Sequence, residues 1–232
     1  MSRAALSRTV IKCDIRASSA GSRYRQIELD KGLKEVLDRA FDAARGTKHP
    51  IEDAYVRFDG DSITMVVDAN VPRSWLLADF ILRELRIALD EYNRSENAEH
   101  QLRLRVAVTF GEIVLNPPAI SGDAVIRAAR LVDAAELRKA MDEKPSVSLG
   151  LIVDEKFLTE VIQHRERGLD PTRFKAVAVD VKDFDGKGWI HMAEEAPEKE
   201  FNATVVNRFE NSEIDARGAV IGVNNGTVNA PK

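Results

Sequence analysis

Apolar positions along this chain follow two rhythms, one of period two and one of period near 3.6. Thr9 to Ile15 (TVIKCDI) is β-branched and apolar, ends in Asp14-Ile15, and gives way to the small-residue run Ala17, Ser18, Ser19, Ala20, Gly21. That pattern predicts a strand running into a tight loop. From Gln26 to Ala44, residues such as Leu29, Leu33, Val36, Leu37 and Ala40 recur at three- and four-residue spacing, which predicts one helix ending at Gly46. Ala54 to Phe58 and Ile63 to Val67 read as strands around Asp59-Gly60-Asp61-Ser62. Asp-Gly supplies the backbone freedom that a tight hairpin turn requires, and it sets Asp61 at the start of the second strand.

A second amphipathic helix is expected over Trp75 to Tyr92, capped near Pro72 to Ser74. Leu102 to Phe110 alternates Leu, Arg, Leu, Arg, Val, Ala, Val as a strand, and Gly111 to Leu115 reads as a further strand after a turn. A third helix is expected from Gly122 to Met141, then a strand over Ser148 to Val153, a short helix near Glu155 to His164, and strands at Phe174 to Val181 and Gly188 to Ala193. Irregular alternation with one clear hairpin predicts an α+β fold, a mixed antiparallel sheet with helices on one face. From Glu194 onward large apolar residues thin out, so residues 194–232 read as an appendage to a domain spanning 1–193.

Composition narrows the function classes. With 44% hydrophobic and 31% charged residues, a packed core is attainable. A net charge of −4 offers no overall basic field for a nucleic-acid backbone, so duplex binding is not expected. One cysteine, Cys13, excludes an intrachain disulfide and starves any Cys-based zinc site of ligands, which suits a reducing cytoplasm. No run of about 18 apolar residues exists to cross a membrane. His49, His100, His164 and His191 are scattered without metal-ligand spacing.

Asp14, at the end of an apolar strand, and Asp61, at the turn of a hairpin, are the candidate chemistry. If those strands pair, the two carboxylates meet at the sheet end, a hard-oxygen arrangement suited to divalent cations bound to phosphate. The plainer reading makes Asp61 a turn residue and Asp14 a polar strand end.

The segments VIKCDIRASS, VRFDGDSITMVV, LRLRVAVTFGEIVL and SGDAVIRAARLVDAAE resemble, in order and approximate spacing, the core of class III nucleotidyl cyclases, the adenylate and guanylate cyclase catalytic domain. The resemblance covers roughly Thr9 to Ala193. It implies a ferredoxin-like or palm-type sheet. It also implies two divalent cations, Mn²⁺ or Mg²⁺, held by Asp14, Asp61 and the carbonyl of Ile15, with Arg130 on the transition state. Ser18 and Ser19 would lie in the phosphate loop, and Lys182, with Lys187 as rival, would hold the triphosphate. It further implies a homodimer with active sites at the interface.

This chain departs from the family at the purine site. Ile126 replaces the ribose-positioning asparagine, Ala119 stands near the position of the base-reading Asp or Cys, and Arg57 corresponds to the adenine-reading Lys. A pocket of Tyr55, Arg57 and Phe58 suits a smaller ring with two carbonyls, which points to UTP. The altered pocket is similar to the pyrimidine cyclases of bacterial anti-phage signalling, which make cyclic UMP or CMP for a separate effector. The alternatives are a cytidylate or adenylate cyclase, or an inactive nucleotide-binding domain. The lack of a Gly-Gly-Asp-Glu-Phe pattern speaks against a diguanylate cyclase.

Overall fold

A computed structural model describes residues 4–18, 21–49, 51, 54–182 and 184–193. The chain divides into two units, Met1–Glu195 and Ala196–Lys232. The expected appendage from Glu194 lies outside the described residues, as does Ser19.

The first half of the chain runs β1 (Leu6–Ile15), α1 (Arg23–Arg45), β2 (Tyr55–Asp59), β3 (Ser62–Asp68), a helical run from Arg73 to Ser95, and β4 (Leu104–Asn116). The helical run comprises α2 (Arg73–Trp75), wide π-type turns over Leu76–Leu85, and α3 (Arg86–Ser95). Next come β5 (Ala119–Ser121), α4 (Asp123–Val132), α5 (Ala135–Glu143), β6 (Leu149–Asp154), α6 (Glu155–Glu160), β7 (Lys175–Val181) and β8 (Phe184–Met192). The sheet order is β2-β3-β1-β4-β6-β8-β7, with β5 paired to β4. Only β4 and β6 run parallel among these pairs. The antiparallel order β2-β3-β1-β4 with two crossover helices is the ferredoxin-like arrangement expected of an α+β palm.

The helices cover both faces of the sheet, where the sequence suggested one. On β1, Ile11, Cys13 and Ile15 pack with Leu33, Leu37 and Phe80 of α1 and the helical run. Val10 packs on the opposite face with Ala124 and Ala128 of α4. Central strands apolar on both sides need two layers of cover, which a period-two reading does not reveal. Each buried Val, Leu, Ile or Phe among them contributes about 1.5–3 kcal/mol.

Other boundaries also moved. Helix α1 starts three residues early, because the Ser22 hydroxyl accepts from Arg25 N at 3.2 Å and caps it. The turn expected before Gly111 does not exist: β4 runs straight through it. Gly111 lets α4 lie close, since a Cβ there would sit 3.3 Å from that of Ala124. The helix expected over Gly122 to Met141 breaks at Asp133-Ala134 into α4 and α5. No helix among the described residues is long and apolar enough to cross a membrane.

Candidate active site

The end of β1 is where chemistry-bearing residues converge. Asp14 pairs across the sheet with Ser62 of β3 on one side and with Arg105 of β4 on the other. One step further, Ile15 N donates to the carbonyl of Asp61 at 3.0 Å, which ties the β2–β3 turn to the strand end. Gly60, at φ 65°, provides the left-handed turn that brings Asp61 there. The chain then bends through Ala17, also left-handed at φ 58°, and the Ser18 hydroxyl donates to the Asp61 carboxylate. Asp14, Ile15, Ser18 and Asp61 are thus brought together from 43 or more positions of sequence separation between Ser18 and the turn.

Arg105 completes this cluster and was missed in the sequence. Its Nη2 donates to the Asp14 carboxylate, its Nη1 donates to the Val132 carbonyl at 3.2 Å, and the residue is 8% exposed. Its Nε is buried without an acceptor among the described residues. The available signal was Arg103 and Arg105 at alternate positions of an otherwise largely apolar strand, which places a charge on a covered face.

Burial pushes the Asp14 carboxyl above its ordinary range; the Arg105 guanidinium opposes this, and the charge of Asp61 adds to it. The Asp14 and Asp61 carboxylates are hard oxygen donors of the kind that hold divalent cations, with Arg105 donating to Asp14 and Ser18 to Asp61. Among the described residues, no group of three or more His, Cys, Asp or Glu side chains is arranged to hold a metal, so backbone oxygen would have to contribute. A cavity of about 390 Å³ lies here, lined by Ile15, Ser18, Asp61 and Arg105 among others. A second, of about 280 Å³, shares Ser18 and Asp61 and reaches Asp30 on α1. Burial, and then the charge of Asp61, also push the Asp30 carboxyl up.

Arg130 lies in the last turn of α4. That helix is fixed to β4 at both ends, by Thr109 Oγ1 donating to Ala124 O at 2.7 Å and by Arg105 holding Val132 O. The arginine that holds Asp14 therefore also anchors the turn carrying Arg130. Half-buried Arg130 makes no ion pair among the described residues.

The remaining expected residues separate. Tyr55 and Arg57 pair with Val66 and Thr64 on the face that carries α4, whereas Phe58 pairs with Ile63 on the face that carries α1. Strand periodicity forbids these three from lining one pocket within one chain. Tyr55 Oη donates to Pro118 O at 2.9 Å, Arg57 Nη2 pairs with Asp59 at 2.9 Å, and Phe58 is 46% exposed. Lys182 occupies a left-handed position, φ 55°, in the exposed β7–β8 turn. Three strand spacings separate β8 from β1, about 14 Å. Lys187 lines a different cavity with Arg127 and Lys156. Ile126 and Ala119 are exposed and offer no polar side-chain atom.

The residues given no catalytic part are accounted for by packing. Cys13 is buried, with its thiol pushed up to about 12 by that burial, and His191 stacks on Phe174 with ring centroids 4.9 Å apart.

Neither a family model nor a curated protein sequence matches this chain. Solved structures do match in fold. The guanylyl cyclase Cya2 superposes with a TM-score of 0.51 at 14% identity, over 87% of this chain and 98% of that one. The adenylate/guanylate cyclase/hydrolase from Silicibacter pomeroyi gives 0.56 at 16% identity, over 82% of this chain and 99% of that one. The chain has the fold of adenylate and guanylate cyclase catalytic domains.

Proposed function

We propose that this protein is a nucleotidyl cyclase that converts a nucleoside triphosphate, UTP by preference, to its 3′,5′-cyclic monophosphate and pyrophosphate. The observation that carries this reading is the meeting of Asp14, Asp61 and Arg105 at the end of β1, within a cyclase fold. In the reaction the ribose 3′-oxygen bonds to the α-phosphorus, the bond from that phosphorus to the bridging oxygen of the β-phosphate breaks so that this oxygen leaves with pyrophosphate, and the 3′-hydroxyl proton passes to solvent water.

Asp14, Asp61 and the Ile15 carbonyl would hold two divalent cations, Mg²⁺ or Mn²⁺, which when bound supply a lowered 3′-hydroxyl pKa and neutralise phosphate charge. Arg105, fixed and buried, keeps Asp14 aimed and adds a positive charge beside the polyphosphate. Ser18 orients Asp61. Arg130, whose fork is not consumed by an ion pair, stabilises the charge that develops on the five-coordinate phosphorus; loss of such a group costs about 3 kcal/mol of barrier.

Uracil preference is supported by what Ile126 and Ala119 lack, since neither can offer the amide or carboxylate that reads a purine. Tyr55 and Arg57 share one face; the Tyr55 hydroxyl proton is engaged by Pro118 O, so the donor for a ring carbonyl is the Arg57 guanidinium, while Phe58 belongs to the other face. Lys182 reaches a triphosphate from a second copy of the chain, because its own carboxylates lie strands away. The working unit is then a homodimer with clefts between subunits, and the cyclic nucleotide serves a separate effector in antiviral defence.

Incubation of purified protein and Mn²⁺ with each of the four nucleoside triphosphates tests this reading. Cyclic UMP is the expected product. Turnover of ATP or GTP alone ends the uracil assignment, and no turnover of any leaves a nucleotide-binding domain. Mixing Asp14→Ala with Arg130→Ala protein restores partial activity if each cleft draws metal ligands from one chain and Arg130 from the other.

A further inference from the structure

The face of β2, β3 and β1 that carries α4 holds a cation–carboxylate–cation group outside the cluster described above. Arg57, Thr64 and Lys12 pair in one row across the three strands, and Asp59, Ser62 and Asp14 pair in the next. Residues two apart on a strand share a face, so the two rows lie side by side and the second ends at Asp14. Arg57 Nε and Nη2 both reach Asp59 Oδ2, at 3.0 and 2.9 Å, and Lys12 Nζ stands 3.9 Å from the same oxygen.

Each member keeps one polar group for a ligand. Lys12 donates to Ser62 Oγ at 2.9 Å and to Thr64 Oγ1 at 3.2 Å, which leaves its third proton without an acceptor in hydrogen-bond range among the described residues. Asp59 Oδ1 accepts no hydrogen bond and Arg57 Nη1 donates none among the described residues. The Arg57 and Asp59 side chains are 37% and 42% exposed, so a ligand can meet them. Lys12 is only 15% exposed, and the two hydroxyls fix where its ammonium sits. Donors held this way recognise a partner without first being ordered by it.

We propose that Arg57, Asp59 and Lys12 read the hydrogen-bonding edge of uracil as donor, acceptor and donor, and that Asp59 and Lys12 are the residues that reject cytosine. This rests on the cyclase reading for what becomes of the nucleotide. Uracil presents a carbonyl, an N3–H and a second carbonyl, an edge that reads the same in both directions and so matches the triad at all three places. Cytosine sets an amino group against a donor and a bare N3 against Asp59, which leaves one match. Adenine leaves none, and guanine meets the last donor with a donor of its own. Arg57 alone serves any ring carbonyl, including the one that both pyrimidines carry. Discrimination comes from the polar groups that the wrong base leaves unpaired.

The test is calorimetric binding of 3′-deoxy-UTP and 3′-deoxy-CTP, which lack the attacking hydroxyl, to the full chain with Mn²⁺, beside cyclic-product assays on UTP and CTP. Uracil is expected to be preferred about a hundredfold. Asp59→Asn, whose amide can turn a donor toward the cytosine N3, is expected to bring the two within about tenfold, and Lys12→Met to lower the preference about tenfold. A purely structural role would weaken both pyrimidines together and leave their ratio unchanged. Thermal melts show whether each variant folds; where one does not, the N3-methyl derivative of 3′-deoxy-UTP decides on the unsubstituted chain, with binding about a hundredfold weaker expected. Equal affinity for both pyrimidines, an unchanged ratio in folded Asp59→Asn, undiminished binding of the methylated analogue, or binding of neither pyrimidine overturns the proposal. Uracil-selective binding without a cyclic product upholds the triad and removes only the cyclase reading. Cyclic product formed equally from UTP and CTP removes the triad alone.

Discussion

Replacing Asp154 tests the reasoning about buried charge at the junction of β6 and α6. The residue is 5% exposed. Its Oδ1 accepts from Phe157 N at 2.8 Å and caps α6, and its Oδ2 accepts from Arg127 Nε at 3.0 Å. Arg127 also donates to Phe110 O at 3.1 Å, so the carboxylate links α4, β4 and α6. In Asp154→Ala the lost cap costs about 1 kcal/mol. Breaking a fully buried pair would cost about 3–5 kcal/mol, which reduces to about 2 because Arg127 keeps partial access to water, its side chain being 28% exposed. The expected total is about 3 kcal/mol, a fall in Tm of about 6–12 °C for a chain of this size. Asp154→Asn keeps one oxygen and turns an NH₂ toward either Arg127 or the helix end, so it costs about half as much.

The pH dependence has a defined sign. Burial pushes the Asp154 carboxyl above its ordinary range in spite of both partners. A folded-state value above the unfolded one means that the fold binds the proton more tightly, so this group's contribution falls as pH rises through that window. The advantage of the unsubstituted chain over Asp154→Asn should therefore grow as pH is lowered from neutral into the carboxylate range. Urea unfolding of the three proteins at several pH values measures this. An Ala variant within about 1 kcal/mol of the parent, or an advantage that shrinks in acid, refutes the reasoning.

Other outcomes follow from the same structure. Arg105→Met leaves the Asp14 carboxylate buried and unpaired, and should lose about 2–4 kcal/mol in urea unfolding; adding Asp14→Asn should recover part of that loss, and a double variant less stable than the single would contradict the pairing. Gly32→Ala on α1 replaces a poor helix former, yet its Cβ would stand 2.5 Å from Tyr92 Cζ on α3. The expected result is a net loss of about 1–2 kcal/mol on thermal melting, where helix propensity alone predicts a gain of about 1. Asp61→Asn should abolish cyclic-nucleotide formation while leaving the far-ultraviolet circular dichroism spectrum unchanged, because Asn preserves the turn and removes only the charge.

Local pattern made several elements legible. Asp-Gly forced the β2–β3 hairpin, the three- and four-residue spacing of Leu29, Leu33, Val36 and Leu37 set α1, and the β-branched run to Ile15 set β1, because these signals act within a few residues. Asp14 and Asp61 stood out for the same reason, each a charge where a short segment did not require one. The partnership of Asp14 with Arg105 was not legible, since it spans 91 positions and depends on β4 lying beside β1. The break between α4 and α5, the two-sided core, and the opposite facing of Tyr55 and Phe58 likewise depend on register and packing. Sequence determined which segments bury apolar surface and where the chain turns. Tertiary structure decided which charges share a cavity, because strand order is settled by the whole core's burial and by no single segment.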